Sequence, residues 1–557
     1  MGYQTKKGKI IEQYCLNNPK VQDKTLARII WNKEKEKGVF SNFDATYQLV
    51  RYYRGHGGEG NREKISKSKR TTAKPLNYNT INNGVYTATL SEQYTKARKK
   101  KRNKQAKVYF ITWGQNNTPI HKKFFENMEA YAKYRSAEIH VILGRYKNPT
   151  STFETSDEEY WDKEILKYAD AARHVIHKNL ELLSDVKIQP TAILPLSGME
   201  GISGLRSSVI GHPRVHLKVV PNLEWYEPKI LMTTGACTLK NYTDSKAGKK
   251  GEFHHTFGFA VIELKDNKTH PFIRQVTANS TDGSFTDLFF RVKDNNISKI
   301  QGIDAAILGD KHIGDHCLIV EGMQRKWLDL LKPKHTIIAD AFNGHSINHH
   351  EMRNPIKQYE NHKSGRDLLL KELDELMKWI DGFKKYNIII QPSNHNDWLD
   401  RYIRDYDWKK DIKNSETYVE LASIALKGKA PNGLVAYLIK KRFGKQVRCL
   451  GRNDMFSVNG FELNNHGDIG VNGSRGSINQ YKRMATKMVN LHTHSPARED
   501  GVLYGGTSTI LRVGYNVGAS NWYNSDVIIH KDKKAQHIIY MGAKKEFTTI
   551  NFQKTKK

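Results

Sequence analysis

The stretch AAILGDKHIGDH, residues 305–316, ends an apolar run in Asp310 and His312, with a glycine before the pair and another after it. Alternate residues of a strand share a face, so the two side chains are expected to converge just beyond the strand's end. Carboxylate oxygen and neutral imidazole nitrogen are common ligands of divalent cations. The plainer reading of Asp-x-His alone is a surface turn.

More pieces of the same type follow, each after an apolar run. HTIIAD closes on Asp340 ahead of AFNGHSINHH, and YNIIIQPSNHNDW carries Asn394 and His395. FELNNHGDIG carries His466, and MVNLHTHSP ends in His492 and His494, again in alternation. A helix is predicted over 366–386 from the stripe Leu369, Leu373, Leu376, Met377 and Ile380. Strand–helix alternation places the polar residues in loops beyond the strands' carboxyl ends, where open α/β sheets bind ligands.

The elements that must position these residues belong to a long, basic chain. Its 557 residues allow several domains, and 90 Lys and Arg against 58 Asp and Glu leave a formal charge of +32. Such an excess favours a polyanionic partner, nucleic acid before an anionic membrane. Cys15, Cys237, Cys317 and Cys449 are scattered with no CxxC pair. That argues against a disulfide framework or zinc ribbon and fits a reducing cytoplasm. The opening MGYQTKKGKI has no apolar stretch behind its charges, and no run approaches the ~20 apolar residues of a membrane helix. A cytoplasmic protein without a membrane partner is expected.

Residues 1–60 read as a small helical domain. DKTLARIIWNKE spaces Leu26, Ile29 and Ile30 for a helix, and SNFDATYQLVRYYRG offers a stripe through Leu49, Val50 and Tyr53 with Gly55 as a stop. Two such helices carrying Arg28, Arg51 and Arg54 suit a helix-turn-helix that grips DNA; a helical cap with solvated basic faces is the alternative. Residues 61–106, glycine-rich and then densely basic, read as a flexible linker able to track phosphates. At 107 the texture changes to strand, helix and strand, with further strands at TAILPL, RVHLKVV, KILMTT and TFGFAVIEL. This predicts a separate α/β domain over 107–300, whose role the sequence does not reveal. SGMEGISG lacks the spacing of a phosphate-binding fingerprint and reads as a plain loop. The adjacent His254 and His255 are expected on opposite faces of a strand.

In their order, the residues past 300 resemble the calcineurin-like metallophosphoesterase superfamily, whose pattern is D-x-H, G-D-x-x-D, G-N-H-[DE], a lone His and G-H-x-H. The resemblance covers roughly 303–530, within a domain taken as 301–557. The basic charge points within that superfamily to SbcD-like DNA nucleases. The whole arrangement also looks like the pre-early host-DNA-degrading nucleases of tailed coliphages, which would place it in the host bacterial cytoplasm. The resemblance implies an αββα-type sandwich holding two divalent metal ions, manganese first, with magnesium or others as alternatives. It further implies that Asp310, His312 and His494 hold one ion, that Asn394, His466 and His492 hold the second, and that Asp340 bridges them. His395 would protonate the leaving oxygen, and Arg475, in NGSRGS, could hold a phosphate.

Three departures stand out. Ala339 replaces the family glycine before Asp340 and Asn343 the second acid; Asp397 comes one residue later than the usual carboxylate after Asn-His; Leu491 replaces a glycine. None removes a metal ligand, but the second leaves the orientation of His395 open. Asp315 and His316 lie off the motif and read as structural. The expected function is a two-metal DNA nuclease. The alternatives are a phosphatase on small phosphoesters, or a DNA-binding regulatory or scaffold protein with an inert phosphoesterase domain. Endo- or exonuclease action, strand preference and self-association stay open.

Overall fold

A computed structural model describes residues 6–18, 21–56, 92–147, 160–223, 228–266, 270–484, 486–513 and 516–550. The described chain is mixed α/β and divides into two compact units, 1–92 and 93–557. Most of the linker expected over 61–106 lies outside the described residues.

The first unit is three helices, Lys6–Asn17, Asp23–Glu34 and Phe43–Arg51, closed over Ile11, Cys15, Leu26, Ile30 and Val50. Asn42 caps the third, its side chain accepting a hydrogen bond from Ala45 N. The chain does not stop at Gly55 but runs on through a wider turn over Tyr52–His56.

In the second unit one long sheet is the shared layer. Its ten strands run Ser457–Val458, Phe461–Glu462, Lys487–Asn490, Val502–Tyr504, Ala497–Glu499, His216–Val220, Lys229–Thr233, Ser207–Ile210, Leu180–Leu183 and Arg173–His177. Strands from both sides of residue 300 meet where Arg498 pairs with Leu217 and Glu499 with His216. The earlier strands pack through Leu182, Val209 and Met232 against Tyr109, Ile142 and Ile262 of a five-stranded sheet. That sheet contains the parallel pair Val108–Gln115 and Ala137–Gly144, with the expected helix, Lys122–Arg135, between them. The later strands pack through Phe461, Val489, Leu491 and Leu503 against a six-stranded sheet. In that sheet Arg448–Cys449, Ile388–Ile390, His335–Ile338 and Ala305–Ile307 lie parallel, and Ser525–Ile529 and Ala535–Ile539 follow antiparallel. Leu369, Leu373, Leu376, Met377 and Ile380 are all buried on the helix Leu369–Phe383. Each such side chain contributes about 1.5–3 kcal/mol when removed from water.

Three local expectations are corrected. TAILPL is a series of turns, with Ile193 and Leu194 exposed rather than alternating into a sheet. His254 ends the helix Lys246–His254 and His255 follows it, so neither lies on a strand. The basic run after residue 96 is held against the body rather than loose. Lys100 donates to the carbonyls of Ile139 and Tyr168, and Arg102 to the Tyr109 hydroxyl.

Candidate metal centre

The strand Ala305–Ile307 ends three residues before Asp310, so strand alternation does not bring Asp310 and His312 together. The loop is instead held beside the one that follows His335–Ile338: Lys311 N donates to Ala339 O, and His312 N to Asp340 O at 2.6 Å. His312 (φ 46°), Asp340 (φ 44°), His492 (φ 69°) and His494 (φ 56°) all adopt left-handed backbone, which non-glycine residues rarely do. Such strain persists where surrounding structure imposes it, and it gathers at functional sites. Lys311 points the other way, its buried ammonium donating to Gln324 Oε1 at 2.6 Å.

These loops bring all seven proposed ligands into one connected group. His494 Nε2 lies 3.2 Å from Asp310 Oδ2 and 3.1 Å from His312 Nε2. Asp340 Oδ2 lies 3.5 Å from His312 Nε2 and 3.3 Å from His466 Nε2, between the two halves of the group. His466 Nδ1 is 3.8 Å from Asp310 Oδ1, and His492 Nδ1 is 3.2 Å from Asn394 Oδ1. Asp310, His312, Asp340 and His494 offer ligand atoms all within 4.8 Å of one another and could hold a metal ion.

The fit can be tested on the atoms themselves. Asp310 Oδ1, Asp340 Oδ1, His494 Nδ1 and both ring nitrogens of His466 are buried without a hydrogen-bond partner. Buried polar atoms are nearly always paired, because leaving one unpaired costs about 1–3 kcal/mol. The free oxygens of Asp310 and Asp340 and one nitrogen of His466 fit a divalent cation as their partner. Burial keeps His312 and His494 from protonating, His494 down to about 4, which leaves neutral rings able to ligate. Burial also pushes Asp310 up to about 6. For Asp340 burial acts the same way, but His466 and His395 outweigh it and hold the carboxyl well below its usual range. His466 rises to about 9 because Asp340 and Asp310 overcome its burial.

His395 stands beside this group, in the first turn of the helix Asn394–Asp405, its ring 4.4 Å from that of His312. It stacks on Trp398 at 3.9 Å, and Nδ1 donates to the Asn343 carbonyl at 2.7 Å. Its orienting partner is therefore that carbonyl, whereas Asp397 turns to Arg452 at 2.7 Å. Burial lowers His395 to about 3. Asn343 also accepts from His312 Nδ1 at 3.1 Å and donates to Asp315 at 3.0 Å. Asp315, read from the sequence as structural, additionally receives His345 Nε2 at 2.6 Å and Arg366 at 3.1 Å. His316 turns away to Glu321, 3.5 Å off.

All of this opens on a cavity of about 1230 Å³ lined by Asp340, Asn394, His395, His492 and His494, with Trp398, Trp522, Arg366 and Arg512. Arg475 is exposed on the same lining. The tryptophans, Arg366 and His345 went unread in the sequence. NHNDW and FNGHS contain two of them one to three residues from motif positions, but adjacency to a motif carries no signal of its own.

In the helical unit the three arginines differ. Arg51 is exposed and Arg28 lies over the Phe43 ring at 4.9 Å. Arg54 instead donates to the carbonyls of Asn18 and Val21 and pairs with Asp23 at 3.0 Å, so it holds the fold together. Among the described residues no helix is long and apolar enough to cross a membrane.

No protein-family profile matches the chain, and no solved structure matches it. The chain is 30% identical to "Protein A1" of Escherichia phage T5 over 464 residues, which covers 79% of this chain and 83% of the phage protein. On that extent of shared sequence, the chain belongs to the family of phage T5 Protein A1.

Proposed function

We propose that this protein is a metal-dependent DNA nuclease of the metallophosphoesterase type, acting during phage infection. The observation that carries the reading is the group of buried, unpaired carboxylate and imidazole atoms around Asp310, Asp340, His466 and His494. In this reading the six-stranded sheet and the 457–504 strands facing it form the αββα core. Asp310, His312 and His494 would hold one divalent ion, Asn394, His466 and His492 would hold a second, and Asp340 would serve both. A bound pair of such ions, manganese or a similar metal, supplies an activated water and clamps a phosphate in transfer.

The chain's own residues do the rest. With Nδ1–H committed to the Asn343 carbonyl, His395 leaves Nε2 as the nitrogen free for the cavity; burial keeps that nitrogen bare, so it would take up a proton beside an anionic phosphate and pass it to the leaving oxygen. The Trp398 ring fixes the plane of that imidazole. Arg475, Arg366 and Arg512 line the cavity as cations for the substrate's remaining phosphates. The formal charge of +32 supports a polyanionic substrate over a small phosphoester.

The test is incubation of the purified protein with supercoiled circular DNA, hairpin-capped linear DNA and the same linear DNA with open ends, with and without manganese. Metal-dependent cleavage is expected. Nicking of the circle would assign endonuclease action, while cleavage restricted to open ends would assign exonuclease action. Release of phosphate from small monoesters with all three DNAs intact would favour the phosphatase alternative, and no hydrolysis of any substrate with metal bound would favour a scaffold.

A further inference from the structure

A second cavity, about 540 Å³ in volume, lies where the ten-stranded and six-stranded sheets both contribute cations. It shares no lining residue with the cavity of the metal centre. Arg498 comes from the strand Ala497–Glu499 of the first sheet, Lys487 from the neighbouring Lys487–Asn490, and Lys533 and Lys534 from the turn leading into Ala535–Ile539 of the second. Two other cations of this lining are neutralised: Arg214 pairs with Asp500 at 2.7 Å and Lys482 with Glu499 at 2.8 Å.

Arg498 has no such partner. Its residue is 9% exposed, its Nε is buried with no hydrogen bond, and among the described residues no carboxylate pairs with its guanidinium. Leaving a buried cation uncompensated is strongly unfavourable, so such groups are normally paired. Burial alone lowers it to about 10, and Lys534 is lowered by burial and then by repulsion from Lys487 and Arg498. A fold that gathers like charges around a buried guanidinium is complementary to an anion. Phe253, 79% exposed on the same lining, offers an aromatic face of the kind on which bases stack.

The geometry points to a binding site for a nucleotidyl phosphoryl group in this cavity, with Arg498 as its central ligand and Lys487, Lys533 and Lys534 around it. The group is carried either by a free nucleotide or by a nucleic-acid strand. The site is independent of the metal centre, so it would hold its ligand with divalent ions removed.

The test uses the full-length protein in EDTA, with chloride of equal ionic strength as the control. Melting temperature and calorimetric affinity are measured against inorganic phosphate, a deoxynucleoside monophosphate and a short single-stranded oligonucleotide. The mononucleotide or the oligonucleotide is expected to raise the melting temperature saturably, and a rise with inorganic phosphate alone would overturn the nucleotidyl assignment. Binding of the mononucleotide identifies a free nucleotide as sufficient, and binding of the oligonucleotide alone identifies a strand. Arg498→Met should melt no lower than wild type without ligand and bind about 10- to 100-fold more weakly, the loss of one or two charge-assisted hydrogen bonds. Lys534→Gln, at a less buried position, should weaken binding in the same direction and serves if the first variant does not fold. No saturable rise with any of the three, or unchanged affinity in the folded variants, would overturn the site. A rise abolished by Asp340→Asn but untouched by Arg498→Met and Lys534→Gln would place the anion at the metal centre and overturn it equally.

Discussion

At Asp170 two imidazoles close on a single carboxylate: His140 Nδ1 lies 2.6 Å from Oδ2, and His174 Nε2 lies 3.0 Å from the same oxygen. Oδ1 accepts from Ala172 N at 2.9 Å; His140's other nitrogen makes no hydrogen bond but lies 3.2 Å from the Glu138 carboxylate. At Asp310 and Asp340 the residue types and the burial are the same, yet one oxygen of each carboxylate accepts no hydrogen bond, where both oxygens of Asp170 do. His140, Asp170 and His174 also keep ordinary backbone, whereas four residues of the other group sit at positive φ. Either group could hold a metal ion by residue type and spacing alone. Free carboxylate oxygens and imposed strain are what separate a group that could hold a cation from a carboxylate already satisfied by its histidines.

The largest expected effect breaks the first group. Asp340→Asn should lower manganese-dependent cleavage about 10³-fold or more, equivalent to about 4 kcal/mol in the barrier, because one side chain serves both halves of the centre. Retained turnover would remove Asp340 from its central position.

Next comes His395→Gln, with a loss of about 10²–10⁴-fold on DNA and metal content unchanged. The deoxyribose oxygen leaves as a strongly basic group, whereas a nitrophenyl phosphodiester releases a stabilised anion. The defect should therefore shrink on the second substrate. Equal losses on both would turn His395 into a residue that positions the phosphate.

Asp170→Asn sharpens the other side of the comparison. It should destabilise the fold by about 3 kcal/mol, because it strips a buried charge partner, while leaving metal-dependent turnover of the folded fraction intact. Burial would raise the Asp170 carboxyl, but His140 and His174 outweigh it and hold it below its usual value. For His140 burial acts downward, and Asp170 and Glu138 raise it above its usual value instead. The carboxylate's contribution is present above its unfolded pKa and is lost as pH falls through the depressed value. The imidazole's contribution is present below its unfolded pKa and is lost as pH rises through the raised one. The gap in melting temperature between wild type and variant should thus be widest between about pH 4 and 6.5. A gap that does not change with pH would mean that the pair is not ionised in the fold.

The smallest effect extends the same contrast to the helical unit. Arg51→Ala should flatten the dependence of log K on log salt by about 0.9, one phosphate contact, with the fold unchanged. Arg54→Ala should instead lower the unit's stability, since its guanidinium is spent on Asn18, Val21 and Asp23. An unchanged slope for Arg51→Ala would remove that residue from any DNA contact.

How much of this was legible in the sequence follows from the range over which each signal acts. Local periodicity placed the helix Leu369–Phe383 and the parallel pair Val108–Gln115 and Ala137–Gly144. Residue type and order picked out the seven residues the structure gathers around Asp340. Strand alternation predicts their convergence, but left-handed loop backbone produces it, and no spacing rule reports φ. The pairing of Arg498 with Leu217 joins residues 281 positions apart, so the shared sheet across residue 300 left no local trace. TAILPL shows the converse, an apolar run that forms turns, burying Leu196 against Leu183, Ile210 and Leu231 while Ile193 and Leu194 stay exposed.

Manganese titration of three proteins side by side, wild type, Asp340→Asn and Asp170→Asn, tests the central claim most directly. Two ions should bind per wild-type chain and the same two in folded Asp170→Asn, with a loss of stoichiometry or affinity in Asp340→Asn. Two tightly bound ions in Asp340→Asn, or a loss confined to Asp170→Asn, would contradict it.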